Sequence, residues 1–113
     1  LDSAQHLFTF GRNDLGQCGI TGQDDAWLYP KQVPTFVDQK VIDVGCGIMH
    51  TVVLLGQTSD VMLCGFGKPY FRRISFPSSK MVVKSVTSGA SSHVSLAISD
   101  EGALFYWFGE GSL

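Results

Sequence analysis

The chain has 113 residues, 44% of them hydrophobic and only 16% charged; this excludes a largely disordered chain and sets the size of one small domain. Its formal net charge of −2 is too small to imply a partner by itself. Three widely spaced cysteines, Cys18, Cys46 and Cys64, exclude a disulfide framework and a paired-cysteine metal or redox site, and a reducing compartment is expected.

In chain order the apolar runs are short and rich in Val, Ile, Phe and Thr. Strands are expected at 7–10, 32–37, 41–44, 50–55, 61–66, 73–76, 82–86, 93–98 and 104–108, with Gly, Pro, Asp and Ser between them. No window of helical length carries a helical apolar period. The segment from Gly11 to Gly19 is too glycine-rich for a helix interior. Two runs, Thr51-Val52-Val53-Leu54-Leu55 and Leu104-Phe105-Tyr106-Trp107-Phe108, are apolar at consecutive positions, so both are expected to be covered on both faces. No run approaches the ~18 apolar residues of a membrane span, and no membrane partner is expected. No secretory leader is visible, and a chain opening on Leu1 is expected to lack its native start.

The chain also repeats itself. Gly45-Cys46-Gly47-Ile48-Met49-His50-Thr51-Val52-Val53-Leu54-Leu55 recurs as Ser88-Gly89-Ala90-Ser91-Ser92-His93-Val94-Ser95-Leu96-Ala97-Ile98, which places the histidines 43 residues apart. Aromatic-glycine pairs recur at Phe10-Gly11, Phe66-Gly67 and Phe108-Gly109. A period of this size marks a repeat architecture whose units bury their apolar faces against one another. The expected units are 1–59 and 60–103, with 104–113 opening a third; each unit would supply four strands.

The first unit reads Phe10-Gly11-Arg12-Asn13-Asp14-Leu15-Gly16-Gln17-Cys18-Gly19, then Pro30 and Pro34, then Val41-Ile42-Asp43-Val44-Gly45-Cys46-Gly47-Ile48-Met49-His50-Thr51. This resembles a repeat of the regulator of chromosome condensation family. The second unit keeps Gly67, Pro77, Val83, Val86, Gly89, His93 and Asp100-Glu101-Gly102, but Lys68-Pro69-Tyr70-Phe71-Arg72-Arg73 replaces the glycine-rich loop. The resemblance implies an all-β fold: two consecutive four-stranded antiparallel blades, plus the start of a third, from a seven-bladed β-propeller. Further repeats, of the same or another chain, would be needed to close the ring.

His50 and His93 could be ligands or bases, but no Cys or His stands at ligand spacing from His93. Their matching places favour a structural role, each opening a strand after a glycine turn and bonding backbone there. Cys46 with His50 lacks the cation and orienting group a thiolate nucleophile needs, and Ser91-Ser92-His93 lies on opposite faces of one strand. The Gly-x-Gly pairs at Gly45 and Gly109 lack the helix that follows a phosphate loop. No catalytic residue, metal or cofactor is expected. Gly11, Asn13, Gly16, Gln17, Gly19, Gly47, Gly67, Gly89 and Gly109 belong with the two histidines to the structural repeat motif.

Two surfaces are candidates for a partner. Residues 1–60 carry seven acids and three bases, whereas residues 61–99 carry five bases and no acid. In the basic part, Lys68, Tyr70, Arg72 and Arg73 could meet phosphates, bases or an acidic protein. In the acidic part, Asp24, Asp25, Trp27 and Tyr29 combine charge with aromatic anchors of the kind found at interface hot spots. The expected function is a non-enzymatic protein-interaction scaffold, nuclear or cytoplasmic. The resemblance also implies guanine-nucleotide exchange on a Ran-type small GTPase, though no insertion resembles the β-wedge such a factor uses. Chromatin or nucleic-acid binding is the third expectation and calls for a stronger basic rim.

Overall fold

The computed structural model describes residues 1, 4–20, 26–76, 82–89 and 93–109; at 26–28 it describes the backbone alone. Nine strands follow in order: β1 (Phe8–Arg12), β2 (Ala26–Gln32), β3 (Val41–Cys46), β4 (His50–Leu55), β5 (Val61–Gly65), β6 (Lys68–Arg73), β7 (Val83–Ser88), β8 (Val94–Ser99) and β9 (Leu104–Phe108). The one helical element among the described residues is a 3-10 turn, Pro34–Phe36. All pairings are antiparallel. They form three sheets: β1-β2, β3-β4-β5-β6 and β7-β8-β9.

The fold is all-β, as expected, and the strands group differently from the expected units. The four-stranded second sheet takes β3 and β4 from residues 1–59 and β5 and β6 from residues 60–103. One sheet of four strands is therefore described, not two, and the hydrogen-bonded sheet runs two strands out of phase with the sequence repeat. A staggered arrangement of this kind ties neighbouring repeats together through a shared backbone ladder.

Two expected strands also move. The run 32–37 is not a strand: Pro34 lacks a donor and opens the 3-10 turn, while Val33 and Phe36 are buried as anchors. β2 lies upstream instead, pairing with β1. Likewise 73–76 yields to β6, so the basic stretch, expected as a loop, is an edge strand. Lys68, Pro69, Arg72 and Arg73 suit such an edge, because charge and proline discourage pairing with foreign strands.

The core lies between sheets. Leu7, Ile20, Val33 and Phe36 meet Val41, Val53 and Leu55 where the first sheet faces the second. Val52, Leu54, Val61, Leu63 and Ile74 meet Val83, Val86, Ala97 and Trp107 where the second faces the third. Every residue of β4 is buried because its alternate side chains serve the two interfaces. The same expectation fails at β9. Trp107 is buried, but Leu104, Tyr106 and Phe108 are exposed, since no described element covers their face.

Polar clasps fix the sheets in place. The Asn13–Gly19 segment crosses from the first sheet to the second. Asn13 Oδ1 accepts the Cys18 N–H at 3.1 Å, closing the loop on itself. The Gln17 carbonyl then accepts the Thr51 hydroxyl at 2.7 Å, and the Leu15 carbonyl accepts the Gly67 N–H at 2.8 Å. Gly16 is required here: a Cβ would come within 2.5 Å of the Lys68 and Pro69 backbone. On the other side of the second sheet, Asp43 Oδ2 accepts the Val86 N–H at 2.9 Å.

Candidate functional site

The two repeats do not place their histidines alike. His50 is 1% exposed and points at the third sheet, with Nε2 2.8 Å from Ser95 Oγ and 3.0 Å from Ser88 Oγ. Ser88 donates its own hydroxyl proton to the Val94 carbonyl at 2.5 Å, so it can only accept from the ring. Nε2 is held between the two hydroxyls, while Nδ1 has no hydrogen-bond partner among the described residues. The doubly protonated ring would leave its Nδ1–H without an acceptor among them. Burial first, and the nearby His93 second, push the His50 pKa down to about 4.

His93 is exposed and faces back toward the second sheet, 6.1 Å from the ring of Phe66, which stacks on His50 at 4.7 Å. The cause is the length of the turn. Cys46 opposes Thr51 as Ser88 opposes Ser95, so the turn before β8 is two residues longer than the turn before β4. Ser95 and Ala97 face the second sheet as Thr51 and Val53 face the first, and His93 falls just before β8 whereas His50 begins β4. The expected equivalence of the histidines is thus lost in three dimensions. So is the expected bonding to backbone, since His50 binds serine hydroxyls of the next sheet.

The glycines of the motif are mostly structural in the same sense. Gly47 leaves room for the imidazole: a Cβ there would lie 2.0 Å from His50 Cε1. Gly47→Ala should push the ring off Ser88 and Ser95 and destabilise the fold by ~1–3 kcal/mol. Thermal unfolding of the variant checks this, and an unchanged melt would refute the clasp. Gly11 and Gly65 mark matching bulges in the β1–β2 and β5–β6 pairs. Gly65, not Gly67, is thus the counterpart of Gly11; Phe66-Gly67 forms the β5–β6 turn. Gly19 abuts the ring of Phe71, Gly89 follows β7, and Gly109 follows β9, its N–H bonded to the His93 carbonyl at 3.0 Å.

The cysteines offer no nucleophile. Cys18 and Cys64 are buried and free, and burial pushes the Cys64 thiol up to about 12. Cys46 is exposed as the last residue of β3, beside Thr51 and on the face opposite His50; partial desolvation raises its thiol as well. No cluster of three or more metal-ligating side chains occurs among the described residues. No helix among them is long and apolar enough to cross a membrane.

Of the partner-facing candidates, Asp24 and Asp25 lie outside the described residues, and for Trp27 only the backbone in β2 is described. The others gather on the outermost strands. The matched bulges superpose β2 on β6 with a constant offset of 41 residues. Tyr29, 80% exposed, then falls on Tyr70, 51% exposed, and Lys31 falls on Arg72. Arg72 lies 5.6 Å from the Tyr70 ring and donates to the Tyr70 and Gly65 carbonyls, while Arg73 pairs with Asp60 at 3.2 Å. Lys68 is half-buried at the start of β6. The match of Lys31 with Arg72 is not visible in the histidine repeat, because the outer strands keep a different offset from the histidines. At the loop, Arg12 holds the Asp14 carboxylate in a two-point pair that lowers its pKa to about 2.

Antiparallel sheets stacked face to face, with the polypeptide handing strands from one sheet to the next, define a β-propeller segment built from sequence repeats. Comparison with known proteins bears this out. Residues 6–54 match the regulator of chromosome condensation (RCC1) repeat. Residues 6–54 are thus an RCC1-type repeat, and most of the chain resembles proteins built from such repeats. It is 22% identical to Protein RCC1 of Candida albicans over 95% of its own length, and 32% identical to the X-linked retinitis pigmentosa GTPase regulator of Homo sapiens over 89%. It spans 28% and 11% of those relatives, respectively. Among solved structures it resembles Prp20p of Saccharomyces cerevisiae with a TM-score of 0.76 and 22% identity, covering 96% of this chain and 30% of that one.

Proposed function

We propose that this chain is part of a larger RCC1-type propeller that serves as a non-enzymatic scaffold, binding an acidic protein surface along its outer strands. The observation that carries the reading is the repeated Tyr-x-basic pattern, Tyr29 with Lys31 and Tyr70 with Arg72, on successive outer strands. Tyrosine and arginine give broad, partly rigid contact area at little entropic cost. The inner strands and the His50 clasp are occupied in holding sheets together. A photo-crosslinker replacing Tyr29 or Tyr70 in the full-length protein should capture a partner, and Arg72→Glu should weaken that capture. Equal capture from Glu101, exposed in the β8–β9 turn of the third sheet, would refute the reading.

A second reading has its own support. Prp20p is described together with its binding to Gsp1p and histones, and the human relative is named a GTPase regulator. Regulation of a small GTPase by the whole protein would show as faster release of bound guanine nucleotide on adding it. If release is accelerated, the scaffold reading gives way to exchange. Histone or nucleic-acid binding would instead show as a salt-dependent complex.

A further inference from the structure

The end of β6 carries two arginines and a serine in a spacing that the fold does not require. Arg72 and Arg73 are followed by Ile74, Ser75 and Phe76. The only other arginine is Arg12, so no other serine or threonine of the chain follows an arginine pair. Burial alternates along the run. Arg73 and Ser75 are exposed, Ile74 is buried, and Phe76 is half-buried against Phe105 and Trp107. The Ile74 N–H donates to the Val61 carbonyl at 2.8 Å, so the chain stays extended one residue past the last β5–β6 pair. Arg73 and Ser75 therefore share the outward face. β6 is also the outermost strand of its sheet.

We propose that Ser75 is the target of an arginine-directed serine kinase, and that its phosphate then draws the Arg73 guanidinium away from Asp60. Guanidinium groups three and two residues ahead of the hydroxyl suit a substrate cleft lined by carboxylates. Phe76, not Pro77, follows the serine, which argues against a proline-directed kinase. In the transfer, Ser75 Oγ bonds to the γ-phosphorus of ATP held by the kinase. The bond from that phosphorus to the β–γ bridging oxygen breaks, ADP leaves, and the hydroxyl proton passes to a carboxylate of the kinase. Little holds the segment back. The ladder ends here, and Arg73 meets Asp60 at 3.2 Å as a surface pair with the arginine 69% exposed. Phosphoserine brings a charge of about −1.5 to −2 and three acceptor oxygens, so it outcompetes a carboxylate for the guanidinium. The added charge has the sign that repels an acidic partner from β6; that consequence alone rests on the scaffold reading.

The test incubates the full-length protein with labelled ATP and the catalytic subunit of cyclic-AMP-dependent kinase, an arginine-directed enzyme. Tandem mass spectrometry should place label on Ser75, none should remain at that segment in Ser75→Ala, and Arg72→Gln should slow its entry by about tenfold or more. If Ser75 stays unlabelled, or is labelled only after the protein has been unfolded, the proposal falls. Phosphorus NMR of the product should titrate below the ordinary phosphoserine midpoint of about 6, and at about 6 in Arg73→Gln carried to full phosphorylation. The same midpoint with and without Arg73 would overturn the capture of the guanidinium. Neither readout involves a partner, so this proposal and the scaffold reading fail separately.

Discussion

Acidification from pH 7 to pH 4 should lower the stability of the folded chain by about 3 kcal/mol, with His50 as the main cause. The folded-state pKa of His50 lies at about 4, below the ordinary 6.5. Between those values the unfolded chain binds a proton that the folded chain refuses. Stability is therefore fully present above pH 6.5, is lost as pH falls through the window, and levels off below about 4. Asp14 titrates lower, between 3.8 and about 2, and does not blur the effect. His50→Gln should flatten the dependence, because its amide can still donate to Ser95 or Ser88 but cannot ionise. Urea midpoints at pH 7 and pH 4.5 for both proteins decide the matter. Equal slopes with and without His50 would mean that the imidazole is not the acid-sensitive clasp.

Trp107→Ala should destabilise the chain by ~3–5 kcal/mol, the range for emptying a large aromatic site in a core. Trp107 is 1% exposed and packs among the side chains joining the second and third sheets, with Phe76 edge-on at 6.0 Å. Its Nε1 has no hydrogen-bond partner among the described residues, so Trp107→Phe removes an unpaired buried donor along with volume and should cost less. Denaturant unfolding of the two variants checks the order. If the two were equally damaging, the indole N–H would have to contribute more than this packing allows.

The landmark aromatic-glycine pairs and the doubled Gly-to-His segment were enough to read strands, turns and family. The run Thr51-Val52-Val53-Leu54-Leu55 announced its two-sided burial, because a strand that alternates nowhere has no face for water. Other features were hidden. β6 looked like a charged loop, since Lys68 and Arg73 suit an edge strand as well as a loop and only pairing with β5 separates the two. The outer Tyr-x-basic pattern was illegible because strands within one repeat keep different offsets when loops differ in length.

What the amino-acid order settled alone is local: which runs extend, where glycine lets the chain turn, and that the units must be stacked to bury their apolar sides. Which strands share a sheet, and which way each histidine looks, were decided only by assembly. Cys46 opposes Thr51 as Ser88 opposes Ser95, so the longer turn before β8 leaves the strand facing as β4 does while it moves His93 out of the place His50 holds.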